Sequence, residues 1–514
     1  MHRFFIAAAM ICLTLSSTHA QVRLPKFLSD HMVLQREMPV KIWGWAAPGE
    51  KVTVAFAGQT KTADAGRDGA WFVTLDPMPA SSEGRKMVIS SSIGNSKLEI
   101  GDILVGEVWL GSGQSNMAWP LKFSDDGRDI PAAGGNKQIR LLRLRSVAAF
   151  TPQDDINNVW QECSEASLPN FSAVAYHFAD ALQKELKVPV GFIQTSWGGT
   201  FIMPWTPPEG FKDVPALADV YKKVTAPAPA SQPTTKPSQN DPCVVYNAMV
   251  HPLRHYSLRG AIWYQGEADV MNDDGMLYYE KMKALIAGWR GAWGRPDMPF
   301  YWVQLSPFYY SVVFKAMPGM TEYSLPKIWE AQTEAMKIPH TGMAVITDVG
   351  AVKNIHPPLK KPVAQRLALW ALAKTYGRKV VYSGPMFKSM RIDGARAIIT
   401  FDHVGDGLTV RSTGVPQGQV SPVQPKEHGR DAHATQREHG RDAHATKDLT
   451  CFEIASADGK YVPAQAKIEG KDRVVVWSDK VPQPAAVRFA WHEMAQPNLV
   501  NSAGLPACTF RTSR

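Results

Sequence analysis

The chain has 514 residues, 45% of them apolar, which excludes a disordered or fibrous protein and leaves room for two or three domains around at least one large core. A formal charge of +9 is modest for this length, and Lys and Arg are scattered, so no basic stripe argues for nucleic acid. No CxxC pair occurs, and with it goes the usual sign of a zinc site.

The N-terminus pairs a basic start, His2 and Arg3, with an apolar stretch from Phe4 to Leu15 and a small polar end at Thr18-His19-Ala20. This is the pattern of a secretory signal peptide over residues 1–20. No later run of about 18 apolar residues follows, so the expectation is an exported protein, secreted or periplasmic, without a membrane span. Cys12 lies in the leader; of the remaining Cys163, Cys243, Cys451 and Cys508, the two C-terminal ones are the preferred disulfide pair.

Residues 21–100 read as a β-rich unit. Val40–Trp45, Lys51–Phe56 and Ala70–Leu75 alternate apolar and polar side chains between Gly and Pro punctuation, as in a small β-sandwich. The rhythm changes over residues 101–378. Strands are expected at Val105 to Leu110, Val188 to Thr195, Gly260 to Tyr264, Phe300 to Leu305 and Met343 to Thr347. Helices are expected at Ser172 to Lys187, Tyr278 to Trp289, Lys327 to Met336 and Leu359 to Tyr376. Five strands interleaved with helices imply an α/β fold, a five-stranded parallel sheet covered on both faces in three layers. Val224 to Pro242, rich in Pro, Ala, Ser and Thr, reads as a surface loop or partial lid.

From residue 379 onward strand-like runs return at Ala397 to Phe401, Val474 to Trp477 and Ala486 to Trp491, giving a second flanking β-rich unit. It is interrupted at about 416–447 by a nonapeptide, Glu427 to Thr435, repeated unchanged from Glu438 to Thr446. Without large apolar residues the repeat builds no core. Its histidines, His428, His433, His439 and His444, offer metal ligands, but a solvated insertion is the favoured reading.

Ligands of an open parallel sheet bind beyond the carboxyl ends of its strands. Four polar or glycine-rich sites fall on that edge: Gly113-Gln114-Ser115-Asn116-Met117 after the first strand, Trp197-Gly198-Gly199-Thr200 after the second, Gln265-Gly266-Glu267 after the third, and His356 after the fifth. Taken alone, Gly113 to Met117 is equally an ordinary strand-to-helix turn. Together the four meet the needs of acyl transfer, which are a nucleophile, a base and donors for an oxyanion. Ser115 supplies the hydroxyl and His356 the base, while the Gly198 and Ser115 amides and the Gln265 side chain are candidate donors. His251 and His255 precede the third strand, at the wrong end of the sheet. The group that orients His356 stays open between Asp348, Glu267 and a backbone carbonyl.

The segments Gly106 to Met117, Trp263 to Glu267 and Ile355-His356-Pro357 resemble the sialate O-acetylesterase family of the SGNH hydrolases. Phe27 to Gln35 and Gly504 to Ala507 extend the likeness over nearly the whole chain except the repeat. The resemblance implies a serine esterase that removes O-acetyl groups from sugars with no metal or other cofactor. It makes Ser115 the nucleophile, His356 the base, and Gly198 and Gln265 oxyanion contributors; Glu267, beside Gln265, is grouped with these as an oxyanion or substrate-binding candidate. Two departures stand out. The family's Asp three residues before the His is Lys353 here, and Pro358-Leu359-Lys360 follows where Asn and Lys are usual. An O-acetylated glycan or sugar is then the partner, with acetylated xylan or another polysaccharide as an alternative; a carbohydrate-binding protein without catalysis is the reading from a different class.

Overall fold

The computed structural model describes residues 22–92, 97–227, 235–411 and 448–513. The leader, the histidine-bearing repeat and part of the expected lid therefore lie outside the described residues. The organising element is one long strand, β1 (Lys97–Gly113), whose second half is buried without interruption. Its first half pairs antiparallel with Ser81–Ser91, while Val33–Gln35 runs parallel to Leu104–Gly106. Its second half is the centre of a parallel sheet.

That sheet also contains β2 (Ile139–Arg143), β3 (Val190–Ser196), β4 (Gly260–Tyr264), β5 (Phe300–Val303) and β6 (Thr341–Ala344). The order is β6-β5-β4-β1-β3-β2, all neighbours parallel, closed at one edge by antiparallel Gln161–Glu162. The expected parallel sheet of five strands is thus corrected to a larger mixed sheet. The addition is β2, whose charged Arg140 and Arg143 disguise a strand; Arg140 is buried because its guanidinium pairs with Asp102 at 2.8 Å.

Helices cover both faces, as neighbouring residues of β5 demonstrate, since side chains alternate across a strand. Phe300 meets Trp289 of the helix Leu277–Trp293, with ring centroids 5.7 Å apart. Tyr301 meets Trp370 of the helix Lys361–Trp370 on the other face. The helix Ala173–Leu186 joins that second face through Phe178 against Trp109 of β1, and starts where the Ser172 side chain accepts a hydrogen bond from the Ala175 amide.

The N-terminal strands Val40–Trp45, Lys51–Phe56 and Ala70–Leu75 form at the expected bounds. Val40–Trp45 pairs with Ala70–Leu75 as a separate ribbon, while Lys51–Phe56 joins the β1 sheet through Ser81–Ser91. Their buried side chains belong to the same apolar cluster as the parallel sheet. The C-terminal strands form two four-stranded antiparallel sheets with a cluster of their own, built on residues such as Ile399, Ile454, Val476 and Phe489. Cys451 and Cys508 are not bonded to each other. The Cys508 sulfur instead sits 3.3 Å from the Thr333 hydroxyl, so the preferred disulfide is corrected to two free thiols.

The register levels three strand ends: Gly113 lies between Ser196 and Tyr264. The Gln114 amide donates to the Tyr264 carbonyl at 3.0 Å, and the Trp197 amide to the Gly113 carbonyl at 3.0 Å. Gly113 has φ of 135°, and a Cβ there would stand 2.1 Å from the Tyr264 oxygen. Only glycine fits. Gly113→Ala is therefore expected to lower stability by at least ~1–3 kcal/mol from backbone strain alone. Gly291→Ala, on a helix with nothing within 4 Å, is expected to leave stability equal or higher. Urea denaturation of both variants checks the contrast.

Candidate active site

After Gly113 the chain turns through Gln114 into a four-residue helix, Ser115–Ala118, which places Ser115 just beyond the carboxyl end of β1. Gln114 staples this turn to the next strand's loop, its Oε1 accepting from the Gly266 and Ala268 amides at 3.3 Å each. The Ser115 hydroxyl lies 2.9 Å from Nε2 of His356. Gly198 is also adjacent, since a Cβ on it would stand 3.4 Å from the Ser115 Cβ. Among the described residues, neither the Ser115 nor the Gly198 amide has an acceptor. The structure thus brings together a hydroxyl, an imidazole and two free N–H donors. The loop Ser238 to Asp241 closes on the same turn, Gln239 donating to the Gly198 carbonyl at 3.3 Å.

His356 is held by its backbone and by stacking. Its amide donates to the Asn354 side chain at 2.9 Å, and its ring stacks on Trp119 with centroids 4.8 Å apart. Half-burial, and after it the positive charge of Lys360, push the imidazole below its ordinary pKa. This favours the neutral ring, the form able to take a proton. Nδ1 has no hydrogen-bond partner among the described residues, and Lys353, at the position of the family's acid, is exposed. The pair is a dyad.

Asp348 does not orient His356. It is buried, with both oxygens bound by the Arg366 guanidinium and a further ion pair to Arg411. Burial alone would raise its pKa, but the two guanidinium groups outweigh it and hold the carboxyl below its ordinary value. Gln265 is likewise turned away from the serine. Its Nε2 donates to the Thr200 carbonyl at 3.1 Å and to Asp269, and its Oε1 accepts from Tyr278 at 3.0 Å, so no donor remains for an oxyanion. Glu267 is 3% exposed, pushed up in pKa by burial, and bonded to Asn116 rather than open to a substrate. His255 packs against Trp43 and Phe72 of the N-terminal strands, and His251 binds the Gln153 carbonyl.

Asn116, Trp119 and Lys360 are the site residues that the sequence reading passed over. Asn116 stood in the serine segment as a turn former, and Lys360 stood two residues beyond the prolines that follow His356. Their nearness in sequence to Ser115 and His356 was the available signal.

A serine hydroxyl and an imidazole in contact on the carboxyl edge of a parallel sheet, beside free amides, are the arrangement used by serine hydrolases of α/β architecture. Residues 105–356 match the family described as carbohydrate esterase, sialic acid-specific acetylesterase. The sialate O-acetylesterase of Rattus norvegicus is 31% identical over 431 residues, covering 72% of this chain and 77% of that protein. That of Homo sapiens is 31% identical over 419 residues, covering 74% and 76%. The crystal structure of a carbohydrate acetylesterase from Xanthomonas citri superposes with a TM-score of 0.79 at 32% identity, covering 96% of this chain and 99% of that one. The chain belongs to this family of carbohydrate esterases and is a carboxylic ester hydrolase.

If Asp348 is an anchor rather than part of the chemistry, Asp348→Asn should cost stability, by about 3–5 kcal/mol for a broken buried ion pair. At temperatures where the variant stays folded, its ester hydrolysis should remain within about tenfold of wild type, against roughly 10⁴-fold for loss of a group acting in the reaction. Calorimetry and initial rates measure the two effects separately.

Proposed function

We propose that this chain is an exported carbohydrate O-acetylesterase working through an acetyl-enzyme. The observation that carries the reading is the 2.9 Å contact of Ser115 with His356, set beside two unengaged amides. The Ser115 oxygen attacks the carbonyl carbon of the acetyl ester while His356 Nε2 takes its proton. The Ser115 and Gly198 amides face the negative charge that forms on the carbonyl oxygen. Collapse breaks the bond to the sugar oxygen, which leaves with the proton from His356, and the acetyl group stays on Ser115. Water then attacks that ester with His356 again as base, releasing acetate and the free serine.

The family's sialate members support an acetylated acidic sugar as substrate, and the Xanthomonas citri structure supports carbohydrate acetyl esters more broadly. Export rests on the leader-like residues 1–20, with Ala20 as the last residue removed. Among the described residues no helix is long and apolar enough to cross a membrane. A non-catalytic binding protein has no use for the Ser115 and His356 contact. Sugars reaching the site would meet Trp119 beside the exposed Phe123.

Ser115→Ala and His356→Ala should each reduce acetate release from a model ester by about 10⁴-fold or more with unchanged melting. A fluorophosphonate that labels wild type and Ser115→Ala equally would sink the mechanism. Comparing O-acetylated sialic acid, acetylated xylan and acetylated pectin ranks the sugars, and N-terminal sequencing of the secreted protein locates cleavage. Because His356 acts neutral and its pKa is lowered by burial and Lys360, the midpoint of the acid limb of kcat/KM should lie below the ordinary imidazole value of 6.5.

A further inference from the structure

Directly behind Ser115 and His356 lies a buried polar knot that the proposed reaction does not use. Asn116, one residue after the nucleophile, donates from Nδ2 to Glu267 and, at 3.0 Å, to the carbonyl of Ile355, one residue before the base. Its Oδ1 accepts from Lys360 Nζ at 2.6 Å. Lys360 is 0% exposed, as deeply buried as any side chain in the protein. Its ammonium lies 5.6 Å from the Tyr264 ring centroid and 5.6 Å from that of Trp119, the indole on which His356 stacks. Glu267 leaves its second oxygen buried without a partner.

A lysine cation is costly to bury without an ion pair. Lys360 makes one hydrogen bond to a neutral amide and has two aromatic faces, a weak substitute for water. The acids around it are Glu267, first residue of the helix Glu267–Met271 after β4, and Asp126 beyond Ser115–Ala118, where Asp126 also accepts from the Lys361 amide and lies 3.7 Å from His177. Such an expensive group beside a reaction centre calls for a function.

Resting on the esterase reading, we propose that Lys360 is a positioning residue for the hydrolysis: it fixes Asn116, which ties the loop of His356 to the serine turn, and its charge acts on the imidazole. The tie explains how a dyad whose Nδ1 has no partner keeps a 2.9 Å contact, because a second link joins the two chain segments one residue away on each side. The charge is present when it matters. Burial pushes Lys360 down to about 7, against the pull of Glu267 and Asp126, so the ammonium persists through the range below 6.5 in which His356 titrates. There it opposes protonation of the base.

Lys360→Met keeps an unbranched side chain, one atom shorter, and removes the charge. In the full-length protein the acid limb of kcat/KM for a nitrophenyl acetate should move to higher pH, and the NMR titration of the His356 imidazole should move with it. Lys360→Arg, retaining the charge, should lose rate with the limb in place. Asn116→Ala should lower kcat by about 10²-fold, the cost of a small misplacement of reacting groups. An unmoved acid limb and imidazole titration in Lys360→Met overturn the proposal, because a purely structural lysine would lower the rate without touching either. Should that variant not fold, full kcat in Asn116→Ala overturns it instead. Wild type without Ser115-dependent hydrolysis would refute the esterase reading alone, since the imidazole titration is read without turnover.

Discussion

The backbone at Gly113 is squeezed between two neighbouring strands, receiving the Trp197 amide on one side and passing the Gln114 amide to Tyr264 on the other. A side chain there would collide with the Tyr264 carbonyl. This close approach sets the reference point for the site. Ser115 stands two residues beyond it, Gly198 follows Trp197 directly, and Glu267 comes three residues after Tyr264. The positions of three groups are therefore dictated by hydrogen bonds of the sheet itself, whose buried strands are among the stiffest parts of such a fold. His356 is different. It hangs on a longer loop after β6, and the molecule supplies extra polar ties to bring it to the same place.

Those ties sit in a setting where electrostatics is strong in both directions. With little water nearby, Asn116 can bridge an acid and a base through one amide, and each unpaired polar atom is costly. Lys360 and Glu267 are both drawn toward their neutral forms by burial. The imidazole belongs to the same environment and shares the Trp119 surface with the lysine. Reactivity and packing are here one arrangement of charges, in keeping with the clustering of perturbed groups at reaction centres.

Much of this was legible in the order of residues. Strand ends carrying Ser115, Gly198 and Gln265 to Glu267 could be read from apolar runs broken by glycine, and the serine and histidine followed from the edge rule. The N-terminal strands Val40–Trp45 and Ala70–Leu75 were legible because side-chain alternation survives in them. Strand β2 was hidden because Arg140 looks solvated until Asp102, distant in sequence, supplies a partner, and Arg143 is exposed at the strand's end. Asp348 and Gln265 were misread for a related reason. Their position at strand ends suited chemistry, whereas their hydrogen-bonding capacity was already taken by Arg366, Arg411, Asp269 and Tyr278, none of which spacing could assign. Lys360 stands out in the sequence only as part of a departure from a pattern, since burial of a lysine is invisible without the third dimension.

The Asp348 anchor reaches further than the loop that contains it. Arg411, which grips it, also donates to the Gly504 carbonyl at 2.8 Å, and Gln496 donates to the Gly350 carbonyl at 3.0 Å. Both come from the C-terminal β region, so the segment running from β6 to His356 is clasped from outside the parallel sheet. The C-terminal sheets are thus part of the scaffold of His356 rather than an appendage. Recombining this esterase with foreign accessory modules would have to preserve that clasp, and lineages that shed or exchanged the region would need another way to hold their histidine.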